Sequence, residues 1–329
     1  MISSTQKWLL SALFAVLPLV LILGLSFGDF SAPTSSVLAC LAGECEGGPL
    51  NTVLFEIRLP HVLIAFFAGG ALALAGAVLQ GVTRNPLADP YLFGVVSGAA
   101  LGVVLLGMFF SSGYTFGLTV SAFIGALGAI ILVVFISKTT NRPNQMILVG
   151  VALSFLLSAL SQFFLYLQEP MASNRIMFWL LGSLSHANFD QLAFVAPISL
   201  LALVSVLVLS RQLDALALSD ELAESLGVQI SGLKTTLLVI CALMTAVVVS
   251  TCGGIAFVGL MIPHIVRQLM SGYGAPLLLA TFILGGIFLV LVDVVARQSL
   301  HHVELPLGVV TSALGSLFFL LLLLNKSND

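Results

Sequence analysis

The sequence predicts an all-α, polytopic membrane protein with about ten transmembrane helices. Of its 329 residues, 59% are hydrophobic and only 8% are charged, whereas soluble domains carry about 25% charged residues. A helix needs about 20 apolar residues to cross the hydrocarbon core. Ten apolar runs approach or reach that length: 8–27, 61–82, 92–110, 115–137, 145–167, 191–210, 233–252, 255–270, 275–297 and 306–325. The whole chain, 1–329, is therefore predicted to be a single transmembrane domain.

The first and the eighth of these runs need separate comment. The run 8–27 is long for the apolar region of a signal peptide, and no A-x-A-like cleavage site follows it. We therefore expect it to be a retained span. The run 255–270 contains Pro263 and ends near Arg267, so it is short for a complete crossing.

The distribution of Lys and Arg predicts the orientation in the membrane, because cytoplasmic loops are enriched in them. With an inner N-terminus and ten crossings, eight of the eleven basic residues lie on or near the inner side. Only Arg58, Arg175 and Arg297 then lie outside. Both termini are therefore predicted to be cytoplasmic. A net charge of -3 on a largely lipid-facing chain also argues against a nucleic-acid partner.

Two rows of residues at helical spacing predict contacts inside the membrane. Gly94, Gly98 and Gly102 lie on one face of the third run, where small residues let helix backbones approach closely. Ser154, Ser158 and Gln162 form a more polar row on the fifth run. The sequence leaves two interpretations of the second row, helix packing or the lining of a transport pathway.

The four cysteines do not form a disulfide scaffold or a paired C-x-x-C zinc site. Cys40 and Cys45 share a polar loop and could pair if that loop faces an oxidising compartment, and the sequence leaves this open. Cys241 and Cys252 fall in or at the edge of an apolar run, where a free cysteine is usually a small buried hydrophobe.

The sequence contains no catalytic motif that we can identify. It lacks the phosphate loop G-x-x-x-x-G-K-[ST], the metalloprotease motif H-E-x-x-H and the nucleophile elbow G-x-S-x-G. His301, His302 and Glu304 form the densest group of metal-ligating residues, but adjacent histidines in a loop seldom bind one ion alone. We therefore expect no catalytic residue, no resident metal and no cofactor in this chain.

One short acidic helix is predicted between two apolar runs. The stretch DALALSDELAESLGV, residues 214–228, holds four of the fourteen acidic residues. Ser219 is a favourable N-cap, Asp220 and Glu221 complement the positive end of a helix, and Gly227 is typical of a helix C-terminus.

The same stretch predicts a docking surface. Leu218, Leu222 and Leu226 have i, i+4 spacing and form one apolar stripe on such a helix. A helix lying on the bilayer would carry Lys and Arg on its polar face, whereas this one is acidic, so we expect it to bind a partner. The predicted docking residues, in segment 214–230, are Leu218, Ser219, Asp220, Glu221, Leu222, Glu224, Leu226 and Gly227.

Two predicted outer cations suit a second docking surface. Arg58 and Arg297 stand at the outer ends of the second and ninth runs, where they could attract an acidic partner or anchor the chain at the headgroups. Asp293 lies one turn before Arg297, and we expect the two to form a structural pair. The proline-rich inner loop 83–90, TRNPLADP, is predicted to be stiff.

Several motifs taken together resemble one transporter family. They are IRLP, GALALAGAVLQGVTRNPLADPYLFGVVSGA, WLLGSL, GGIAFVGLMIPHIVR, DVVAR and ELPLGVVTSALG, in this order from about residue 55 to 316. The chain resembles the FecCD-type permease subunits of ABC importers for vitamin B12, ferric siderophores and haem. This resemblance implies the type II importer fold in a bacterial inner membrane. It also implies a homodimer, two cytoplasmic ATPase subunits that bind ATP and Mg, and a soluble binding protein outside.

The resemblance also implies roles for particular residues. ATPase coupling falls on the acidic helix, Leu218 to Gly227. A cytoplasmic gate is implied at Asn85, Pro86 and Leu87 and in a second loop at Pro143 and Asn144, which depart from the small hydroxyl residues of the vitamin B12 importer. Contacts to the binding protein are implied at Arg58, Arg297 and His61, the last at a position that is commonly basic.

We therefore hypothesise an ATP-driven permease for an iron chelate, either a siderophore complex or haem, with vitamin B12 as the nearest alternative. An ion-coupled secondary transporter or an intramembrane enzyme would place ionisable residues deep in the spans. The spans are nearly free of them, and Asp293 is the main acidic exception. A membrane scaffold that only binds partners is a further alternative.

Overall fold

Helices make up all the regular secondary structure in the described part of the chain. The computed structural model describes residues 4–28, 33–45, 48–109, 115–140, 145–270, 274–299 and 304–326. In chain order the helices are α1 Ser4–Ser26, α2 Thr34–Leu41, α3 Pro49–Thr52, α4 Leu59–Thr83, α5 Val95–Phe109, α6 Thr115–Thr140, α7 Gln145–Tyr166, α8 Pro170–Leu180, α9 Phe189–Val208, α10 Ser210–Leu218, α11 Asp220–Ser225, α12 Ile230–Cys252, α13 Val258–Leu269, α14 Ala275–Gln298 and α15 Leu307–Lys326. A π-helical segment, Val53–Arg58, leads into α4, and a 3-10 turn, Pro90–Phe93, leads into α5.

The apolar runs correspond to helices of two lengths. The helices α1, α4, α6, α7, α9, α12 and α14 are long and apolar enough to cross a membrane, and α5 and α15 contain shorter apolar stretches. The run 255–270 forms α13, whose 12 residues extend only about 18 Å, against a hydrocarbon core of about 30 Å. The all-α membrane fold is thus confirmed, and the eighth run is a partial crossing, as its short length suggested.

Helix α4 lies in the centre of the bundle and packs against α9, α12, α13 and α14. Glycines set the closest of these contacts. A Cβ atom on Gly69 would overlap the carbonyl oxygen of Gly285 on α14, and one on Gly76 would overlap that of Gly259 on α13. Close approach at glycines increases dispersion contact where the lipid supplies no hydrophobic driving force.

The predicted glycine face of the third run is confirmed as a packing face. Gly98 meets the backbone of Gly125 on α6, and Gly102 meets that of Ser121, so a side chain at either position would push α5 and α6 apart. Gly94 has a different role. Its φ of +75° turns the chain from the 3-10 turn into α5, a conformation that glycine adopts without a Cβ clash.

The bundle has two chemically different ends. One end carries α10 and α11 with the end of α4 and the starts of α12 and α14, and we call it the α10–α11 face. The other end, the α2 face, carries α2 with the end of α1 and the start of α4. On the α2 face Cys40 and Cys45 form a disulfide, one of the two outcomes that the sequence allowed. Cys241 and Cys252 are free and buried, as predicted.

Candidate functional site

The two short helices of the α10–α11 face end where the sequence predicts. Ser219 has extended backbone angles and separates α10 from α11, and its hydroxyl accepts a hydrogen bond from the Leu222 N–H at 3.0 Å. Gly227 follows α11 with φ +76°. The Val228 N–H donates to the Ala223 carbonyl at 3.0 Å and closes the last turn.

The prediction of one continuous leucine stripe is wrong. Leu218 ends α10, Leu222 lies in α11 and Leu226 follows the last residue of α11, because the extended backbone at Ser219 interrupts the helical spacing. All three side chains are nevertheless exposed, by 61%, 40% and 66%. Within α11, Ala223 is the buried residue and packs against the rest of the chain.

Two of the four acidic residues in this stretch are used inside the chain. Asp220 lies within 3.1 Å of Lys234 Nζ on α12 and also pairs with Arg84 at the end of α4. Burial raises the pKa of the Asp220 carboxyl, but the hydrogen bonds and charges of Lys234 and Arg84 outweigh burial, so the pKa lies below its ordinary value. The pairing of Arg84 and Lys234 with Asp220 was not predicted, because no local sequence pattern pairs residues so far apart in the chain.

Asp214 connects α10 to the start of α14. Its carboxylate accepts a hydrogen bond from the Gly274 N–H at 3.0 Å, which satisfies one of the donors left unpaired at a helix N-terminus. Burial raises the pKa of Asp214, and the hydrogen bond from Gly274 acts in the opposite direction. Glu221 and Glu224, in contrast, are exposed. The acidic surface offered to a partner is therefore smaller than the sequence suggests.

The loop that follows α4 is held by internal hydrogen bonds, which favour the predicted stiffness, and its tip is exposed. Asn85 Oδ1 accepts a hydrogen bond from the Leu87 N–H at 2.9 Å, and the Ala88 N–H donates to the Asn85 carbonyl at 3.1 Å. Pro86 removes one further degree of freedom. Leu87 is 55% exposed. The second half of the predicted gate, Pro143 and Asn144, lies outside the described residues.

The base of the same loop is buried against α4 and α13. Gln80 Nε2 donates to the Gly259 carbonyl at 3.2 Å. Asp89 Oδ1 accepts a hydrogen bond from the Tyr91 N–H at 2.8 Å. Within the described residues, Gln80 Oε1 and Asp89 Oδ2 are buried without a hydrogen-bond partner. Burial raises the pKa of Asp89 to about 6, although the hydrogen bond from Tyr91 lowers it.

We expect Asp89 to make the stability of the protein depend on pH. Because its pKa rises from an ordinary 3.8 to about 6 in the folded state, its stabilising contribution is complete below pH 3.8 and is lost as the pH rises through 6. The side chain in Asp89→Asn is always neutral. This variant should therefore have a free energy of unfolding up to about 3 kcal/mol above that of the wild type at pH 7, and a higher melting temperature. The difference in stability between Asp89→Asn and the wild type should be smaller at pH 5. Melting in detergent at both pH values measures this, and a gap independent of pH would contradict it.

The predicted outer cations are buried at the α2 face. Arg58 Nη1 donates to the Leu25 carbonyl at 2.7 Å, and Arg297 Nη1 donates to the Phe27 carbonyl at 2.7 Å. The two arginines are only 5% and 8% exposed. Both guanidinium groups therefore satisfy carbonyl groups at the C-terminal end of α1, where carbonyl groups lack an intrahelical donor.

The predicted pair of Asp293 and Arg297 is confirmed, with an N–O distance of 2.7 Å. A third member was not predicted, since His61 Nε2 lies 2.8 Å from the other carboxylate oxygen of Asp293. His61 is 7% exposed. The expectation of outward-facing cations is thus wrong in this conformation of the single chain. The docking role of Arg58, His61 and Arg297 stays a prediction without an exposed cation to support it.

The polar row on α7 divides between two environments. Ser158 Oγ lies 2.9 Å from Ser97 Oγ on α5, and Ser154 packs against Gly94 at the start of α5. Only Gln162 is exposed. The two serines are therefore helix-packing residues in the single chain, and a pathway-lining role stays a prediction, best suited to Gln162. Of the possible metal ligands, His301 and His302 lie outside the described residues.

Comparison with known proteins gives concordant results for sequence and fold. The model of the FecCD transport family matches residues 16–325. The Fe(3+) dicitrate transport system permease protein FecD of Escherichia coli (strain K12) is 37% identical over 271 residues, which cover 82% of this chain and 85% of the relative. The molybdate import system permease protein MolB of Haemophilus influenzae is 36% identical over 314 residues, covering 93% and 92%. A solved inward-facing metal-chelate type ABC transporter superposes with a TM-score of 0.85 at 33% identity, covering 97% of this chain and 99% of the other.

Proposed function

This chain belongs to the FecCD transport family, and we propose that it is the permease subunit of an ATP-driven importer for a ferric chelate such as ferric citrate. The family consists of ABC transporter permeases, which are membrane proteins and not themselves catalytic. The similarity to an iron(III) dicitrate permease carries the substrate part of the proposal. The comparable similarity to a molybdate permease makes molybdate a second candidate. The relatives named above are an iron(III) dicitrate permease, a molybdate permease and a metal-chelate type transporter.

The α10–α11 face has the chemistry of a docking site for a soluble ATPase. Leu218, Leu222 and Leu226 are exposed next to the exposed carboxylates Glu221 and Glu224. Exposed leucines on a turn fixed by Ser219 and Gly227 are costly in water unless a partner covers them. In the proposal, one ATPase subunit binds here on each of two permease copies, and those subunits supply the ATP and Mg sites.

The disulfide and the loop charges support one orientation of the chain in the membrane. The bond between Cys40 and Cys45 is stable in an oxidising compartment, so the α2 face is proposed to lie outside the cytoplasmic membrane. A soluble binding protein would then deliver the chelate to that face. The α10–α11 face, with Arg84, Arg211 and Lys234, would be cytoplasmic, as would both chain termini.

The buried ionic cluster does not favour ion-coupled transport. A coupling carboxylate must be able to gain and lose its ion, whereas Asp293 is held by both Arg297 and His61. Arg297 is itself bound to carbonyl groups of α1. The cluster therefore holds α1, α4 and α14 together. The energy for transport is proposed to come from ATP.

Replacing Leu222 and Leu226 together by Asp should abolish ATPase binding and ATP-driven uptake. Two charges in an apolar contact remove its binding energy and leave carboxylates to be desolvated, so the loss should exceed about 100-fold. Co-purification of the ATPase from cells and uptake of radiolabelled ferric citrate into proteoliposomes measure the two effects. Membrane insertion should be unchanged, because both side chains are already exposed.

The matched control is Leu38→Asp with Leu41→Asp, which makes the same change at two exposed leucines of α2 on the opposite face. This control should retain the ATPase. Normal co-purification with the Leu222 and Leu226 double variant would refute the docking role. Uptake by the wild type that persists without ATP would refute the ABC mechanism. Uptake of molybdate or vitamin B12 in place of ferric citrate would correct only the substrate.

A further inference from the structure

A network around one carboxylate joins four helices on the α10–α11 face. Asp220 at the start of α11 accepts hydrogen bonds from Lys234 Nζ on α12 at 3.1 and 3.2 Å. It also pairs with the guanidinium group of Arg84, which ends α4. The same guanidinium group donates from Nε to the Leu216 carbonyl of α10 at 3.0 Å.

Arg84 is also the first residue of the loop 84–89, which we call the gate loop because the family resemblance implies a gate at Asn85, Pro86 and Leu87. It has a φ of +51°, an uncommon value for a residue with a side chain, and this turn directs the chain from α4 into Asn85. The loop beyond Arg84 is held in shape by hydrogen bonds to the side chains of Asn85 and Asp89. Because the loop is internally rigid, a displacement of Arg84 must move the exposed tip at Leu87.

Stability alone does not explain this arrangement. The side chains of Arg84 and Asp220 are 38% and 36% exposed, and ion pairs this exposed contribute about 0.2–1 kcal/mol. A general attraction for a basic partner would be served equally well by Glu221, which is the next residue and is exposed. Asp220 differs from Glu221 in its position, since it contacts both the start of the gate loop and α12.

We infer that Asp220 is a positioning residue of the transport cycle, which transmits movement of α11 to the gate loop through Arg84. This inference rests on the proposed function. It adds a physical connection between helix α11, where the ATPase is proposed to bind, and the gate loop. An ATPase that displaces the exposed leucines of this face displaces Asp220 with them. The ion pair moves Arg84 together with the Asp220 carboxylate, and Arg84 moves the gate loop. The contact of Lys234 with Asp220 couples α12 to the same movement.

Asp220→Asn should separate ATP hydrolysis from transport. The variant keeps the size of the side chain and the exposed leucines, so the ATPase should still co-purify and hydrolyse ATP. The amount of chelate taken up per ATP should fall about tenfold, as expected for the loss of one coupling contact. Arg84→Gln should give the same loss, and the double variant should be no worse than either single variant, because both remove one connection.

Two variants serve as controls. Asp220→Glu preserves the carboxylate and should retain most of the uptake per ATP. Glu169→Gln makes the same charge change at an exposed carboxylate outside the α10–α11 face and should leave the ratio unchanged. Loss of ATPase co-purification in Asp220→Asn would overturn the inference, because Asp220 would then be a partner contact. An unchanged uptake-to-ATP ratio would overturn it as well.

A second measurement does not depend on the proposed function. Spin labels at Leu87→Cys and Glu224→Cys report the distance between the gate loop and α11 in the permease alone. Both sites are exposed, whereas the two free cysteines, Cys241 and Cys252, are buried. The labelled parent should give one narrow distance distribution. Asp220→Asn should lose it, and an equally narrow distribution in that variant would refute the connection even if the protein transports nothing.

Discussion

Replacing Gly76 by Ala should strongly destabilise the folded permease. The added Cβ would overlap the carbonyl oxygen, carbonyl carbon and Cα of Gly259 on α13. All three are backbone atoms, so no side-chain rotation relieves the overlap. Helices α4 and α13 would have to separate in the centre of the bundle. Overpacking of this kind costs about 1–3 kcal/mol or more, and the yield of monodisperse protein in detergent should fall sharply.

Gly128→Ala provides the matched control for this substitution. Gly128 lies in the interior of α6, and a Cβ there would have no neighbouring atom within 4 Å. Replacing a glycine inside a helix by alanine stabilises it by about 0.5–1 kcal/mol when there is room. The control should therefore melt at or above the wild-type temperature. Equal melting of the Gly76 and Gly128 variants would show that α4 and α13 are not in close contact.

Replacing Asp293 by Ala should cost about 3–5 kcal/mol, the usual penalty for breaking a buried ion pair. The carboxylate is 3% exposed and holds Arg297 at 2.7 Å and His61 at 2.8 Å. Without the carboxylate, the buried guanidinium group keeps hydrogen bonds to the carbonyl groups of α1, but no opposite charge compensates its own. The expected result is a large drop in the melting temperature of the detergent-solubilised permease.

Two further variants test whether the unpaired charge causes this loss. Asp293→Leu combined with Arg297→Met removes both charges, and replacing a complete buried pair by apolar residues is often tolerated. The double variant should therefore be more stable than Asp293→Ala alone. Glu224→Ala removes an exposed carboxylate and should change stability by less than about 0.5 kcal/mol. A melting temperature of Asp293→Ala equal to that of the wild type would contradict a buried, paired Asp293.

Features controlled by neighbouring residues could be predicted from the sequence. The apolar runs predicted the long helices, since any helix in lipid must satisfy its own backbone hydrogen bonds. Ser219 and Gly227 predicted the two ends of α11, because caps act within one turn. Gly98 and Gly102 predicted a close helix contact, and the structure shows that α6 makes it. Asp293 and Arg297 predicted their pair, because residues four apart meet on a helix.

Predictions were wrong for charged side chains that could bind either another group of this chain or a partner protein. Arg58 and Arg297 are expected to be exposed, but both are buried, because they donate to carbonyl groups at the end of α1. Asp220 was expected to face a partner, but Arg84 and Lys234 meet it first. A sequence records the charge of such residues without recording which groups the fold brings near them.

The sequence by itself determined a bundle of apolar helices, the caps of α11 and the family of the chain, because these depend on composition and on contacts within a few residues. Only the tertiary structure decided which charges are internal and which face a partner. Asp220 pairs with Arg84 across 136 residues, and Asp293 contacts His61 across 232. Separations this long are bridged by the path of the whole chain, and no local spacing specifies that path.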